Sequence, residues 1–249
     1  MIEKIPRNFQ RSRKLAIKAK RRFIYNNPIL YRNYLIKKHN FSRSYNAVAD
    51  PIKLVLIDPE SVIHSTNERF SWNMHEKWGC IRGGSWDQDV FQMEDSPKAK
   101  SLRERFEKGI EWHETKLYED YTTDQMSHKD VISHLQRFDD LFESLQQRYK
   151  TSFELPDAKF MEEVCVCIAR DGEILHSRSG RHRLIIAKIL GLDEIPVRVM
   201  TRHTQWQKIR ETCHEQLQTD GKLSDELVRF RGHPDLVDLL EEHPTGSFS

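Results

Sequence analysis

The sequence predicts an α+β fold: a small mixed sheet with packed helices, a helical insertion, and helical N- and C-terminal extensions. Three observations carry that prediction. Residues 161–203 read as strand, hairpin, strand, apolar helix, strand. Residues 98–149 carry apolar side chains at helical spacing. With 12 Phe, 7 Tyr and 5 Trp in 249 residues, the chain has too many aromatics to stay disordered, although 31% of it is charged.

The first element is a basic arm, residues 1–50. It holds 13 Lys/Arg against Glu3 and Asp50, a net +11, which leaves −9 on the remaining residues. Asn26-Asn27-Pro28 divides the arm into two helices, about 8–24 and 29–38. Cations alternate there with Leu15, Ala19, Phe23, Ile29, Leu30 and Leu35. That pattern suits nucleic-acid phosphates or an anionic membrane surface, and equally a solvated extension whose aromatics dock on the body. Mutual repulsion and few apolar positions predict an arm that folds partly and packs loosely.

A domain spanning 51–203 follows, with the helical insertion at about 97–150 and a helical tail at 204–249. KLVLIDPESVI is a short strand stopped by Asp58-Pro59 and followed by a tight turn. The Trp-rich stretch after it is opened by Gly83-Gly84. In the insertion Ser127 and Asp130 form a capping box, and Leu135, Phe138, Phe142, Leu145 and Tyr149 make a core stripe. Beyond it, Cys165 and Cys167 share one strand face, and Asp171-Gly172 makes the hairpin turn. Gly191 ends the apolar helix that opens after Gly180. The predicted core holds Val164, Val166, Ile168, Leu184, Ile186, Ala187, Leu190, Val197 and Val199.

Composition also excludes. No run approaches the roughly 18 apolar residues of a membrane span, and the first residues lack a signal-peptide apolar region. Cysteines at 80, 165, 167 and 213 form no C-x-x-C pair, which argues against a zinc site and a disulfide framework. The 12 histidines form no H-E-x-x-H array, so no metal ligand is assigned. The expected location is the cytoplasm, or the membrane periphery if the arm lies on lipid.

Ser179-Gly180-Arg181-His182-Arg183 stands where a strand gives way to a helix. Unpaired N–H groups and the dipole of a helix's first turn make an anion site. Gly180 admits close backbone approach, Arg181 and Arg183 neutralise phosphate, and His182 donates a hydrogen bond or relays a proton. The bland alternative is a strand–turn–helix with surface arginines and a capping histidine.

Residues 161–203 resemble the C-terminal half of the ParB/sulfiredoxin superfamily domain, through Gly180, Arg183, Gly191 and Ile195-Pro196-Val197. LVLIDPESVI resembles that domain's opening strand. The resemblance implies a ParB/sulfiredoxin-like fold in which the turn at the helix start binds nucleotide phosphates. Family members include CTP-dependent partition proteins, ATP-using sulfiredoxins and free-serine kinases. Arg181 occupies the place of sulfiredoxin's catalytic cysteine, which argues against cysteine sulfinic acid repair. The kinase-like turn reads Asp-Gly-His-His-Arg, and here Ser179 and Arg181 depart from it.

A second constellation is Arg82-Gly83-Gly84-Ser85-Trp86-Asp87, with Trp112-His113-Glu114-Thr115 downstream. It is similar to a G-G-D-W-D stretch with a later W-x-x-T in archaeal and viral-type members of the superfamily. Arg82 and the glycine pair offer donors to an oxygen-rich second substrate, Trp86 a stacking face, and Asp87 a general base or a Mg²⁺ ligand. Equally, Trp86 is a core anchor and Asp87 a turn cap. Glu60 follows the opening strand where kinase-like members place an acidic catalytic residue.

Three function classes follow. The first is a phosphotransferase acting on a small molecule with ATP, ADP or CTP and Mg²⁺, with Glu60, Asp87 and His182 as catalytic candidates. The second is a nucleic-acid-binding protein that uses the arm. The third is a module lying on anionic lipid.

Overall fold

The computed structural model describes residues 27–39, 44–67, 78–123, 126–151, 164–177 and 179–242. Helix α1 (Pro28–His39) precedes strands β1 (Leu54–Ile57), β2 (His64–Thr66), β3 (Cys80–Arg82) and β4 (Val90–Gln92). Helices α2 (Pro97–Lys108), α3 (Lys116–Thr123) and α4 (His128–Thr151) come next. The chain continues through β5 (Val164–Ile168), β6 (Ile174–His176), α5 (Arg181–Ile189) and β7 (Ile195–His203). It closes with α6 (Thr204–Asp220), α7 (Asp225–Val228) and α8 (Val237–Glu242). The structure is α+β, as the sequence predicts.

The strands form one mixed sheet in the order β1-β7-β5-β6-β2-β4. β7 is its spine. One side of β7 pairs antiparallel with β1 along Ile195–Arg198 and parallel with β3 along Thr201–His203, and β5 runs parallel to it on the other side. Gly172, at φ +96, turns the β5–β6 hairpin, and the Gly172 N–H donates to the Ala169 carbonyl at 3.2 Å.

The two-residue strand period sorts the core onto two faces. Val164, Val166 and Ile168 pack with Leu184, Ile186 and Ala187 of α5 and with Leu102, Leu117, Val131 and Leu135 of the three insertion helices. Cys165, Cys167 and Met200 point to the other face, against Trp78, Trp86, Tyr31 and Leu35. The insertion is well capped. The Ser96 hydroxyl accepts from Ala99 N–H at 3.2 Å, and the Ser127 hydroxyl accepts from Asp130 N–H at 3.2 Å. In the predicted stripe Leu135, Phe138 and Leu145 are buried and Phe142 is half-buried, while the Tyr149 side chain lies outside the described residues.

Two expectations need correction. The arm does not pack loosely throughout: Tyr31 and Leu35 are both 0% exposed. They sit one helical turn apart, so one face of α1 docks against Trp78, which Tyr31 meets edge-on at 5.4 Å. Arg32 adds a 2.6 Å ion pair to Asp50. The expected helix at 8–24 lies outside the described residues. Leu190 is half-buried rather than core, because α5 ends at Ile189 and the chain turns through Gly191 at φ +60.

The tail shares the main core. Trp206, Cys213, Leu217, Leu236 and Leu239 are buried with β5 and α5. The Asp235 carboxylate accepts from Arg202 Nε at 2.9 Å and from Trp206 Nε1 at 2.9 Å. Burial pushes the Asp235 carboxyl up, and the charges of Arg202 and Arg210 outweigh that to hold it at about 2. Among the described residues no helix is long and apolar enough to cross a membrane.

Candidate functional site

The strand-to-helix turn is built by Gly180. It takes φ +82, and its carbonyl accepts from Leu184 N–H at 2.9 Å. As the N-cap it supplies no side chain to the first turn, so the N–H groups of Arg181, His182 and Arg183 are left for another acceptor. That turn contains no acidic residue. Cations in a first turn oppose the helix dipole, which favours negative charge there.

Arg181 leans over the Phe91 ring, with its guanidinium carbon 5.3 Å from the centroid. Its Nη2 reaches Ser65 Oγ only at 3.5 Å, and its buried Nε makes no hydrogen bond. Lys98, the second residue of α2, is half-buried beside it. Among the described residues neither Lys98 nor Arg181 has an acidic partner. Burial, followed by the charge of Arg181, pushes the Lys98 ammonium down. Burial alone lowers Arg181. Among the described residues, two half-buried cations thus stand near each other without a counter-ion.

Two histidines complete the cluster. His182 lies tilted against Phe138 at 4.3 Å, and its buried Nε2 has no partner. Burial, then Lys98 and Arg181, push its pKa down to about 4. His176 is 0% exposed, its Nδ1 shares a 3.0 Å hydrogen bond with Ser65 Oγ, and its Nε2 has no partner. Burial, then Arg181, push it to about 3. Both imidazoles are therefore neutral at pH 7, each with one free ring nitrogen. The cluster has the chemistry of an anion receptor, with helix N–H donors, two uncompensated cations and neutral imidazoles.

The structure does not gather all the residues picked out in the sequence. Ser179, Gly180, Arg181, His182 and Arg183 form one turn, with Arg181 turned toward Lys98 and Arg183 half-buried one residue-pair further on. Glu60 is exposed and stands 3.9 Å from Lys188 Nζ. Lys188 lies seven residues from Arg181, about 10 Å along α5.

Asp87 lies elsewhere. Its carboxylate, 2% exposed, accepts from Arg170 N–H at 3.0 Å, from Nε at 2.8 Å and from Nη2 at 2.7 Å. Burial raises its pKa, but these bonds outweigh burial and hold it at about 2. Arg170 follows the end of β5, whereas Gly180 abuts Val164 at its beginning. The five residues of β5 alone span about 16 Å. Trp86 packs on the Cys165/Cys167 face, and α5 packs on the opposite one. Asp87 and His182 thus share no cleft, and Asp87 is no general base for this turn.

The rest of that loop is structural. The Gly84 carbonyl accepts from Arg170 Nη2 at 2.9 Å and lies 3.0 Å from His203 Nε2. A Cβ on Gly83 would lie 3.2 Å from Thr204 Oγ1. Trp86 is buried, its Nε1 donating to the carbonyl of Arg82 in β3 at 3.4 Å. Trp112 donates to Asp139 at 2.8 Å from within the insertion core.

Sequence reasoning missed Lys98, Ser65, Phe91 and His176. The available signal for Lys98 was a helix that opens PKAK without an acid. His176 had none, since a histidine in a short strand reads as surface. Cavities of ≈ 790 Å³, within the insertion, and ≈ 520 Å³, beside β1, border neither Arg181 nor His182. In the cationic cluster Arg181 lies over Phe91 and His182 beside Phe138. No protein-family model, no curated protein and no solved structure matches this chain.

Proposed function

We propose that this protein binds a nucleotide through its phosphates at the start of α5 and uses it in phosphoryl transfer to a small molecule. The observation that carries the binding step is the pair Lys98 and Arg181. They are half-buried and free of acidic partners among the described residues, and Arg181 stands at a helix start with open N–H donors. The resemblance of the turn to nucleotide-binding members of the ParB/sulfiredoxin superfamily supports the same ligand class. Phosphoryl transfer asks mainly for positioning and charge neutralisation, which Arg181, Arg183 and the backbone N–H groups supply. His182, held neutral, donates or accepts one hydrogen bond at the phosphate. Glu60 stands closest to the role of acidic partner for an acceptor hydroxyl, beside the same helix.

ATP, ADP and CTP, each with Mg²⁺, are the ligands to test. A ligand that binds only the native state raises stability by about 2.7 kcal/mol at a hundredfold excess over Kd. One of the three is expected to raise the melting temperature, in a titration that saturates. A flat response to all three would contradict the proposal.

A further inference from the structure

We infer that Lys98, carried by the helical insertion, is the contact for a second phosphate, so that the ligand bridges the starts of α2 and α5 as a di- or triphosphate. The inference rests on the phosphate reading above and adds to it a residue and a ligand class.

Two helix starts meet here. α2 packs against α5, and Lys98 lies in the first turn of α2, close enough to feel the charge of Arg181 and to act on His182. The first turns of both helices lack acidic residues, and each carries cations instead, Lys98 and Lys100 in one and Arg181 and Arg183 in the other. Each dipole already favours an anion, and the side chains add to that field instead of cancelling it. One phosphate held at α5 would still leave the Lys98 ammonium uncompensated. A second phosphate a few ångströms away would neutralise it.

The buried histidine is an independent pointer to a ligand. His176 is 0% exposed, lies within range of the Arg181 charge, and has an Nε2 with no partner. Unpaired polar atoms at such depth cost stability unless something completes them. Phe138 and His134 of α4 meet edge-on at 5.9 Å, and Phe138 lies against His182 from the insertion side. The insertion therefore supplies both a wall and a charge to the site.

The test is calorimetric titration of the full chain with inorganic phosphate and with pyrophosphate, in wild type, Lys98→Met, Lys98→Arg and Arg181→Met. Wild type should prefer pyrophosphate by about tenfold or more, the weight of one charge-assisted contact. Lys98→Met should weaken pyrophosphate about tenfold more than it weakens phosphate, and Lys98→Arg should retain the preference. Arg181→Met should weaken both anions. Without ligand, Lys98→Met should melt no lower than wild type, because it removes a repelled cation and keeps the stem, so misfolding is not the expected cause of any loss. Equal weakening of both anions in Lys98→Met, or no change in either, overturns the bridging inference and leaves the phosphate site standing. If wild type binds neither anion, the phosphate reading itself fails.

Discussion

A Cβ on Gly180 would stand 2.5 Å from the Cα of Val164, so the start of α5 rests directly on the first residue of β5. Gly180 also takes φ +82, a left-handed conformation that costs other residues about 1–2 kcal/mol. Backbone cannot yield as a flexible side chain would. Gly180→Ala is therefore expected to destabilise the fold by about 3 kcal/mol, strain and overpacking together. A urea titration that shows an unchanged midpoint would contradict this contact.

The tail should prove inseparable from the sheet. Arg202 and Arg210 are each buried, and Asp235 neutralises Arg202 at 2.5 Å and approaches Arg210 at 3.6 Å. Asp235→Ala leaves the buried Arg202 without its counter-charge, while Arg210 keeps Asp238 at 2.8 Å, at a cost of about 3–5 kcal/mol. Deleting residues 204–249 should abolish cooperative unfolding altogether, because Trp206 and Leu236 leave the core with them. A soluble truncation with a sharp thermal transition would show the tail to be an appendage.

Asp87→Asn separates structure from chemistry. The substitution removes the charge that Arg170 grips, so the loop at 83–89 should loosen and the melting temperature should fall by about 4 °C. Nucleotide affinity should stay within about twofold, since Asp87 and the α5 turn lie on opposite faces. A large loss of affinity with unchanged stability would restore Asp87 to the site.

Acid should destabilise the native state in a window that His182 and His176 set. Both are held below the ordinary histidine pKa of about 6.5, at about 4 and about 3. Between those limits the unfolded chain binds protons that the folded chain refuses, so stability falls as pH drops from 6.5 towards 4. Asp87 and Asp235, both held near 2, contribute stability above pH 3.8 that is lost only below it. His182→Asn should flatten the upper window, as denaturant midpoints at pH 7, 5.5 and 4.5 would show. A bound phosphate reverses the sign locally: it favours protonated His182, so affinity should rise as pH falls towards 5. Equal pH slopes in wild type and His182→Asn would contradict the assignment.

Where local pattern carries the information, the sequence was legible. The Asp171-Gly172 turn, the helix after Gly180 and the alternation of Val164, Val166 and Ile168 all follow from period and turn chemistry, and each is present. Long-range placement was not legible. Gly83, Gly84 and Asp87 look like a binding loop because glycine pairs and acids serve both ligands and turns. Only the partner, Arg170, 83 residues away, decides between them. Lys98 was overlooked for the converse reason: a lone lysine opening a helix gains meaning only when α2 is packed on α5. The burial of Tyr31 similarly depends on Trp78, which no local pattern links to the arm.

The most direct test is isothermal titration calorimetry of the best of ATP, ADP and CTP, with Mg²⁺, against wild type, Arg181→Ala, Arg181→Lys and Arg183→Ala. Arg181 sits on Phe91 and faces Lys98, so Arg181→Ala should weaken binding about ten- to a hundredfold, the loss of one charge-assisted phosphate contact. Arg181→Lys should recover little, because an ammonium lacks the planar fork that stacks and binds in two places. Arg183→Ala should also weaken binding, because it removes a second guanidinium from the same first turn. Wild-type affinity in Arg181→Ala and Arg183→Ala alike, or no heat of binding from the wild type with any of the three nucleotides, would contradict a phosphate site at the start of α5.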